Sequence, residues 1–225
     1  MTTPPLIRPY RGTPAQDRVT QRRTALLDAA LTVFEAEGFT GLSARRICEE
    51  AGLTRRYFYE SFEDLDALLG ALFERVTQEV RAAVLAVASE PGLPLARTTR
   101  TAVSRGLDVL LASPAKGRFL AGIQAVGGPV AERRAKAVEE LAAIVEQQLT
   151  PQAPAPHTEK SGEAAARARQ AKAAAMAAVG AVLRLIDSWL TGELEATRDE
   201  LLTWTSGAAL AIFGMAPPPD EDNRP

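Results

Sequence analysis

The chain has 225 residues, of which 46% are hydrophobic and 24% charged, and its formal net charge at pH 7 is −2. This composition is typical of a folded globular protein, and the length can bury a substantial core in one or two domains. The net charge alone does not indicate a nucleic-acid partner, but its distribution does. Residues 1–62 hold nine arginines and seven acids, a balance of +2, so residues 63–225 carry −4.

Several protein classes are excluded by single features of the sequence. Cys48 is the only cysteine, so no intramolecular disulfide forms, and we expect it to be packed inside rather than to sense redox state. Residues 1–5 lack the apolar core of a signal peptide. The longest apolar run, residues 173–183, is shorter than the roughly 20 residues needed to cross a bilayer. We therefore predict a cytoplasmic protein with no membrane segment.

The fold class predicted from the sequence is all-α, because helix formers dominate and no long alternating strand pattern occurs. Residues 1–15 contain four prolines and two arginines and are predicted to be a flexible basic arm. Such an arm either lies in a minor groove through its arginines or contributes little. A first helix is predicted over about residues 16–37, ended by Gly38. Its apolar face consists of Leu26, Leu27, Ala30, Leu31 and Phe34.

Residues 43–62 are predicted to form two short helices joined by a tight turn. Ser43 and Thr54 are suited to cap the N-termini of the two helices, and Gly52 is suited to the left-handed conformation between them. The apolar side chains can face inward while the polar ones stay outside. This pattern predicts a helix-turn-helix, whose second helix is short and polar enough to enter a DNA major groove. The alternative is a helical hairpin with a solvated polar face.

The polar side chains of this stretch are the candidate DNA contacts. Arginine can bond bidentately to guanine, and tyrosine offers a hydroxyl to phosphate and a ring to a thymine methyl. We expect Arg55, Arg56 and Tyr57 to contact bases. We expect Thr54, Tyr59 and Ser43 to contact phosphates, and Arg45 to serve in either role.

Residues 22–69 resemble the DNA-binding domain of the TetR (tetracycline-repressor-like) family. The resemblance is carried by Arg22-Arg23, Ala29-Ala30, Phe34, Gly38-Phe39, Ile47, Ala51-Gly52-Leu53, Tyr59, Phe62 and Ala67-Leu68-Leu69. The chain departs from the family pattern at Arg56, where glycine is frequent, and at Ser61, where histidine is common. Leu65 and Asp66 stand where the family often has a phosphate-binding basic residue. The resemblance implies a homodimer, most often a repressor and in some members an activator, whose C-terminal domain binds a small molecule.

The rest of the chain is predicted to be a helical regulatory and dimerisation domain over residues 63–215. Helices are expected over about 63–88, 95–112, 114–126, 129–149 and 163–190, with a last one from Thr197 capped by Glu200. The helix over 63–88 should pack on both domains and act as a lever between them. Residues 150–162 are predicted to be a loop in which His157 is solvated, and residues 216–225 a disordered tail.

A small-molecule site is predicted inside this domain. Its candidate residues are Leu107, Phe119, Ile123, Leu183, Arg184, Ile186 and Asp187. Arg184 and Asp187 lie three positions apart, so they either pair with each other or a neighbouring helix, or face a ligand. A charge in the pocket would imply a ligand with a polar or charged end.

The last two helices are apolar around much of their circumference, which predicts a homodimer with twofold symmetry. No catalytic constellation, phosphate-binding loop or metal-ligand spacing occurs, so we predict no enzyme activity, no cofactor and no metal. The predicted function is a ligand-responsive transcriptional regulator, most simply a repressor that binds a palindromic operator in double-stranded DNA. The alternatives are a TetR-like activator and a DNA-binding protein without a small-molecule ligand.

Overall fold

The computed structural model describes residues 15–89, 92–123, 129–149 and 161–214. These residues form nine α-helices and contain no strand, which confirms the predicted all-α class. Most of the predicted N-terminal arm, the loop with His157 and the predicted tail lie outside the described residues. The chain divides into two compact units that meet in sequence between Leu68 and Leu69, whereas the sequence placed the boundary at residue 62.

The first unit contains three helices and the start of a fourth: α1 (Ala15–Gly41), α2 (Ala44–Ala51), α3 (Arg55–Ser61) and α4 (Leu65–Ala88). The α1 backbone leaves helical geometry at Gly38, where φ is 69° and ψ is −167°. Glycine adopts this conformation without a steric penalty, so the helix breaks where predicted and one further turn reaches Gly41. The Asp64 carboxylate then caps α4 by accepting a 2.7 Å hydrogen bond from the Ala67 N–H.

The core of the first unit is formed by the apolar sides of α1, α2 and α3, which pack against one another. Five of its side chains have no exposed surface: Leu26, Ala30, Val33, Ile47 and Phe58. Phe58 also meets the Phe62 ring at a centroid distance of 5.9 Å. Burying a side chain of this size stabilises the fold by about 1.5–3 kcal/mol, so Phe58 firmly fixes the inner side of α3.

The turn between α2 and α3 has the predicted geometry. The Ser43 hydroxyl caps α2 by accepting the Arg46 N–H at 3.2 Å. Gly52 ends α2 in the left-handed conformation, with φ 63° and ψ 29°, and the Leu53 N–H donates to the Cys48 carbonyl at 3.0 Å. Thr54 precedes α3, but its hydroxyl makes no capping bond. That hydroxyl is therefore not used by the helix it was expected to cap.

The second unit contains the rest of α4 together with α5 (Leu95–Leu111), α6 (Pro114–Gly122), α7 (Pro129–Leu149), α8 (Ser161–Leu190) and α9 (Arg198–Gly214). Helix α8 packs against α7 and α9, and α5 packs against α9 and α6. Leu107, Leu201 and Leu202 form a buried cluster on α5 and α9. The α9 helix begins with the predicted capping box, in which Thr197 N–H donates to Glu200 at 2.9 Å and Glu200 N–H donates to the Thr197 hydroxyl at 3.3 Å.

Ion pairs fasten α4 to α6 and α7 within the second unit. Glu74 pairs with Arg133 at 3.0 Å and Arg81 with Glu140 at 2.6 Å. Lys116 of α6 adds a third pair with Glu79. Exposed pairs contribute little stability individually, but three of them along one helix restrict how α4 can slide.

Helix α8 is more apolar than the run at residues 173–183 suggested. Within the described residues, Ala164–Leu190 is the one stretch long and apolar enough to cross a membrane, although the core helix of a soluble protein meets the same criterion. Only 17% of its most apolar part is buried in the isolated chain. Much of this helix is therefore open to solvent or to a cavity in the isolated chain.

Gly52 provides a test of the turn that orients α3. Replacing it with alanine places a Cβ in the left-handed region, so we expect Gly52→Ala to lower the free energy of unfolding by about 1 kcal/mol. Asparagine tolerates this conformation, so Gly52→Asn should lower it less. Urea unfolding followed by circular dichroism measures both variants. Equal losses in the two variants would contradict the assigned backbone conformation.

Candidate nucleic-acid interface and ligand cavity

The predicted DNA-contacting residues lie together on the solvent side of the helix-turn-helix. Arg55, Arg56 and Tyr59 are exposed on α3, with Tyr59 58% exposed, and Tyr57 is half-buried beside them. The neighbouring candidates Thr54, Ser43 and Arg45 are exposed as well. The inner side of the same helix holds Phe58 in the core. The helix thus presents arginines and aromatic hydroxyls on one side and is anchored by the other.

The three candidate arginines differ in their partners. Arg56 Nε donates to Glu60 Oε1 at 2.9 Å, and Arg45 Nε donates to Glu49 Oε1 at 2.8 Å. These hydrogen bonds raise the pKa of both guanidinium groups. Among the described residues, Arg55 makes no hydrogen bond or ion pair and is exposed. The Arg55 guanidinium is therefore without a bonded carboxylate, whereas Arg45 and Arg56 each use Nε in a pair and keep their other N–H donors.

Two arginines of α1 position α3 from behind. The Arg22 guanidinium carbon lies 4.5 Å from the centroid of the Tyr57 ring, and its Nη2 is 3.8 Å from Glu60 Oε2. Arg23 donates to the Ser61 carbonyl at 2.8 Å and lies 4.2 Å from the centroid of the Phe62 ring. Cation–π contacts of this kind are directional, so they restrict the tilt of α3. The sequence interpretation counted these residues only as positive charge and as part of the family resemblance.

Two other residues of α2, Arg46 and Cys48, contact the protein rather than solvent alone. Arg46 donates to Glu37 of α1 at 2.7 Å and to Glu50 at 3.2 Å, which joins α2 to α1. Cys48 is buried, and burial raises the pKa of its thiol. A buried, protonated thiol reacts slowly with oxidants, in agreement with the expected packing role.

The second unit contains a half-open cavity of about 450 Å³. This volume falls within the roughly 300–1,000 Å³ typical of small-molecule sites. Helices α4, α5, α7 and α8 supply most of the wall, and α6 and α9 supply the rest. Its apolar residues include Phe73, Val80, Val84, Val103, Leu110, Leu120, Val138, Leu141, Ile144, Val145, Val179, Val182, Leu190 and Phe213.

Four of the seven predicted ligand-site residues line this cavity, and three do not. Leu183, Arg184, Ile186 and Asp187 line the cavity. Leu107, Phe119 and Ile123 do not line it, although all three are fully buried. Leu107 packs instead with Leu201 and Leu202. Helical periodicity identifies a buried face, but it does not distinguish a face packed against protein from one that borders a cavity.

Arg184 and Asp187 pair with each other, one of the readings that the sequence left open. Arg184 Nη1 lies 3.2 Å from Asp187 Oδ2, and its Nη2 lies 2.8 Å from Glu193 Oε2. The Ser188 hydroxyl also donates to Glu193 at 3.2 Å. Asp187 Oδ1 is buried without a hydrogen-bond partner. In the described part of the chain, no group of three or more His, Cys, Asp or Glu side chains is placed to hold a metal ion.

A third surface lies on α8 and α9, which pack side by side. Met176 is 52% exposed and Trp204 is 43% exposed, both unusually open for such large side chains. Small residues recur around them at helical spacing and are also exposed: Ala173, Ala177, Gly180, Gly207 and Ala211. Small side chains allow another helix to approach closely, so this surface has the character of a helix-packing interface.

Comparison with known sequences identifies the first unit. Residues 26–72 match the family described as bacterial regulatory proteins, tetR family. The match covers most of α1, the helix-turn-helix and the start of α4. No curated protein matches the chain.

Solved structures share the fold along nearly the whole chain. One is a tetR-family transcriptional regulator from Streptomyces coelicolor, which is 18% identical to this chain and has a TM-score of 0.66. The match covers 88% of this chain and 82% of that chain. A TetR-like transcriptional regulator from Rhodococcus sp. RHA1 is 21% identical, with a TM-score of 0.61 and coverages of 86% and 96%. A TetR family transcription regulator from Marinobacter aquaeolei VT8 is also 21% identical, with a TM-score of 0.57 and coverages of 88% and 97%. Residues 26–72 thus match the tetR family, and the chain shares its fold with solved structures of TetR-like regulators.

Proposed function

We propose that the protein is a ligand-responsive repressor that binds an inverted-repeat operator as a homodimer and is released from DNA by a small molecule. The observation that carries this proposal is the presence of two separate sites in one chain. An exposed, arginine-bearing α3 occupies the first unit, and an apolar cavity of about 450 Å³ occupies the second. A regulator of this kind acts in the cytoplasm, where it meets both DNA and metabolites.

Two alternatives share the same DNA-binding unit. An activator would use the same operator contacts and differ only in what binding does to transcription. A DNA-binding protein without a ligand would need only the first unit, since the residues that contact DNA end well before the second unit begins. The cavity in that second unit favours control by a ligand.

For recognition, we assign base contacts to Arg55, Arg56 and Tyr57, and phosphate contacts to Thr54, Tyr59 and Ser43. Arg45 can serve in either role. The exposure of Arg55 and Arg56 and the unused Thr54 hydroxyl support these assignments. The half-buried Tyr57 ring, held by Arg22, suits an apolar contact with a thymine methyl.

We expect Arg55→Ala to reduce operator affinity about 10- to 100-fold and to relax preference at one base pair, because a bidentate arginine–guanine pair is lost. Arg56→Ala should cost less, because Glu60 competes with DNA for the Arg56 guanidinium. Tyr59→Phe should weaken binding to all DNA sequences alike. A gel-shift titration of each variant against operator and scrambled DNA makes the comparison. Unchanged operator affinity in both arginine variants would show that α3 is misassigned.

The proposed homodimer uses α8 and α9. Their exposed apolar surface, including Met176 and Trp204, is what an interface core requires, and tryptophan is enriched at binding hot spots. Two copies of one surface close most simply around a twofold axis. The two α3 helices would then reach successive major grooves about 34–36 Å apart, which requires an inverted-repeat operator.

Sedimentation equilibrium at micromolar protein should give twice the chain mass. Ala177→Arg places a charge on the exposed α8 surface and should shift the mass toward that of one chain. Ala143→Arg makes the same change on the exposed side of α7 and should leave the mass unchanged. A wild-type protein with the mass of one chain would rule out the dimer.

The coupling between the two sites is proposed to run through α4. This helix is continuous from Leu65 to Ala88, and its residues Phe73, Thr77, Val80 and Val84 line the cavity. A ligand that fills the cavity would press on this side of α4 and shift the recognition helices of the two copies. That shift would weaken binding to an operator, because the spacing of its two half-sites is fixed.

Such coupling is reciprocal, so bound DNA must lower the affinity for the ligand by the same factor by which bound ligand lowers the affinity for DNA. We expect a ligand titrated calorimetrically into operator-bound protein to bind about 5- to 150-fold more weakly than to free protein. Equal affinities in the two titrations would refute the lever mechanism.

A further inference from the structure

We infer that the ligand of the cavity is a neutral, predominantly apolar small molecule rather than an anion or a cation. The inference rests on the proposed function for its regulatory meaning, but the binding preference itself is a property of the cavity. It follows from the apolar character of most of the wall and from the bonds that its charged groups already make.

The apolar part of the wall surrounds the cavity from several helices. Phe73 and Val84 come from α4, Leu110 from α5, Val138 and Leu141 from α7, and Phe213 from α9. Contacts with such side chains favour a ligand through the area removed from water and give no preference for charge.

Two hydroxyl groups on the wall, those of Thr77 and Thr98, are used by their own helices. The Thr77 hydroxyl donates to the Phe73 carbonyl at 2.9 Å and approaches the Glu74 carbonyl at 3.1 Å. The Thr98 hydroxyl donates to the Pro94 carbonyl at 3.3 Å. Thr99 and Gln148 add further neutral donors and acceptors, which suit a hydroxyl or carbonyl on a ligand.

The charged groups on the wall are also bonded. Arg184 is shared between Asp187 and Glu193, and Arg134 is engaged in interactions of its own. These two arginines and Asp187 are the charged residues that line the cavity in the described part of the chain. The Arg184 side chain is 63% exposed, so its pairs are partly in solvent. A charged ligand would have to compete with these pairs or leave its charge among apolar side chains, which is disfavoured.

Asp187 Oδ1 offers the one opposing argument, because it has no hydrogen-bond partner. This oxygen is buried, however, so it lies beneath the surface of the cavity rather than on it. It would meet a ligand only if the side chain turned away from Arg184. An ammonium group could cause such a turn, and the experiment includes that outcome.

Three probes with the same ten-carbon chain separate the possibilities: 1-decanol, decanoate and decylammonium. Each is titrated at pH 7 into the full-length protein without DNA, below its aggregation concentration, and binding is followed by calorimetry. We expect 1-decanol to bind saturably, one per chain, and at least about 10-fold more tightly than either charged probe. Because the comparison uses wild-type protein, it does not depend on a variant that could fail to fold.

Matched variants report which wall group is involved. The control Asp199→Asn, whose side chain is 88% exposed on α9, should leave the binding of all three probes within about twofold of wild type. Tightest binding by decylammonium, lost in Asp187→Asn alone, would overturn the inference in favour of a cationic ligand. Tightest binding by decanoate, or no saturable binding of 1-decanol, would also overturn it.

Operator release is measured separately by fluorescence anisotropy. If 1-decanol binds with the expected preference and the operator stays bound, the proposed regulation fails and this inference stands. If a charged probe binds best and releases the operator, this inference fails and the proposed regulation stands.

Discussion

The burial of Phe58 is the interaction on which the DNA-binding surface depends. It occupies the core of the first unit with no exposed surface, next to Phe62 and the apolar side of α1. With only seven residues, α3 would not be a stable helix in isolation, so its helicity comes from this packing. Arg22 and Arg23 hold its Tyr57 side and its C-terminal end, while Gly52 sets the direction of entry. Because these contacts fix α3, Arg55 and Tyr59 are held in place outside the core.

Features governed by neighbouring residues could be predicted from the sequence. The cap at Ser43, the left-handed Gly52, the break at Gly38 and the Thr197–Glu200 capping box depend on a few consecutive side chains, and each has the expected geometry. The candidate DNA-contacting residues could be named for the same reason, because exposure on a short amphipathic helix follows from its apolar side. The stacking of Arg22 on Tyr57 could not, since 34 intervening residues must fold before the two meet. Leu107, Phe119 and Ile123 illustrate the other limit: their burial was predictable, but the position of the cavity depends on how whole helices pack.

Charge is arranged differently in the two units. On the helix-turn-helix, Glu49 and Glu60 hold Arg45 and Arg56 in pairs of helical spacing, so only part of the positive charge is immediately available to phosphates. Phosphate contacts provide most nonspecific affinity for DNA, and pairing of this kind lowers it in favour of sites that reward the exchange of a carboxylate for a base. In the second unit, Arg184 pairs with Asp187 and Glu193 beside a cavity whose remaining wall is mostly apolar. The first surface therefore presents charged side chains, whereas most of the second is apolar.

The central claim is that α3 of two copies reads DNA in successive major grooves. Selection of binding sites from a random pool of duplex DNA by the full-length protein tests it most directly. The account predicts enrichment of an inverted repeat whose half-sites lie about 34–36 Å apart from centre to centre, with Arg55→Ala losing preference at one position in each half-site. Enrichment of a single unpaired half-site, or of no sequence above the starting pool, would contradict it.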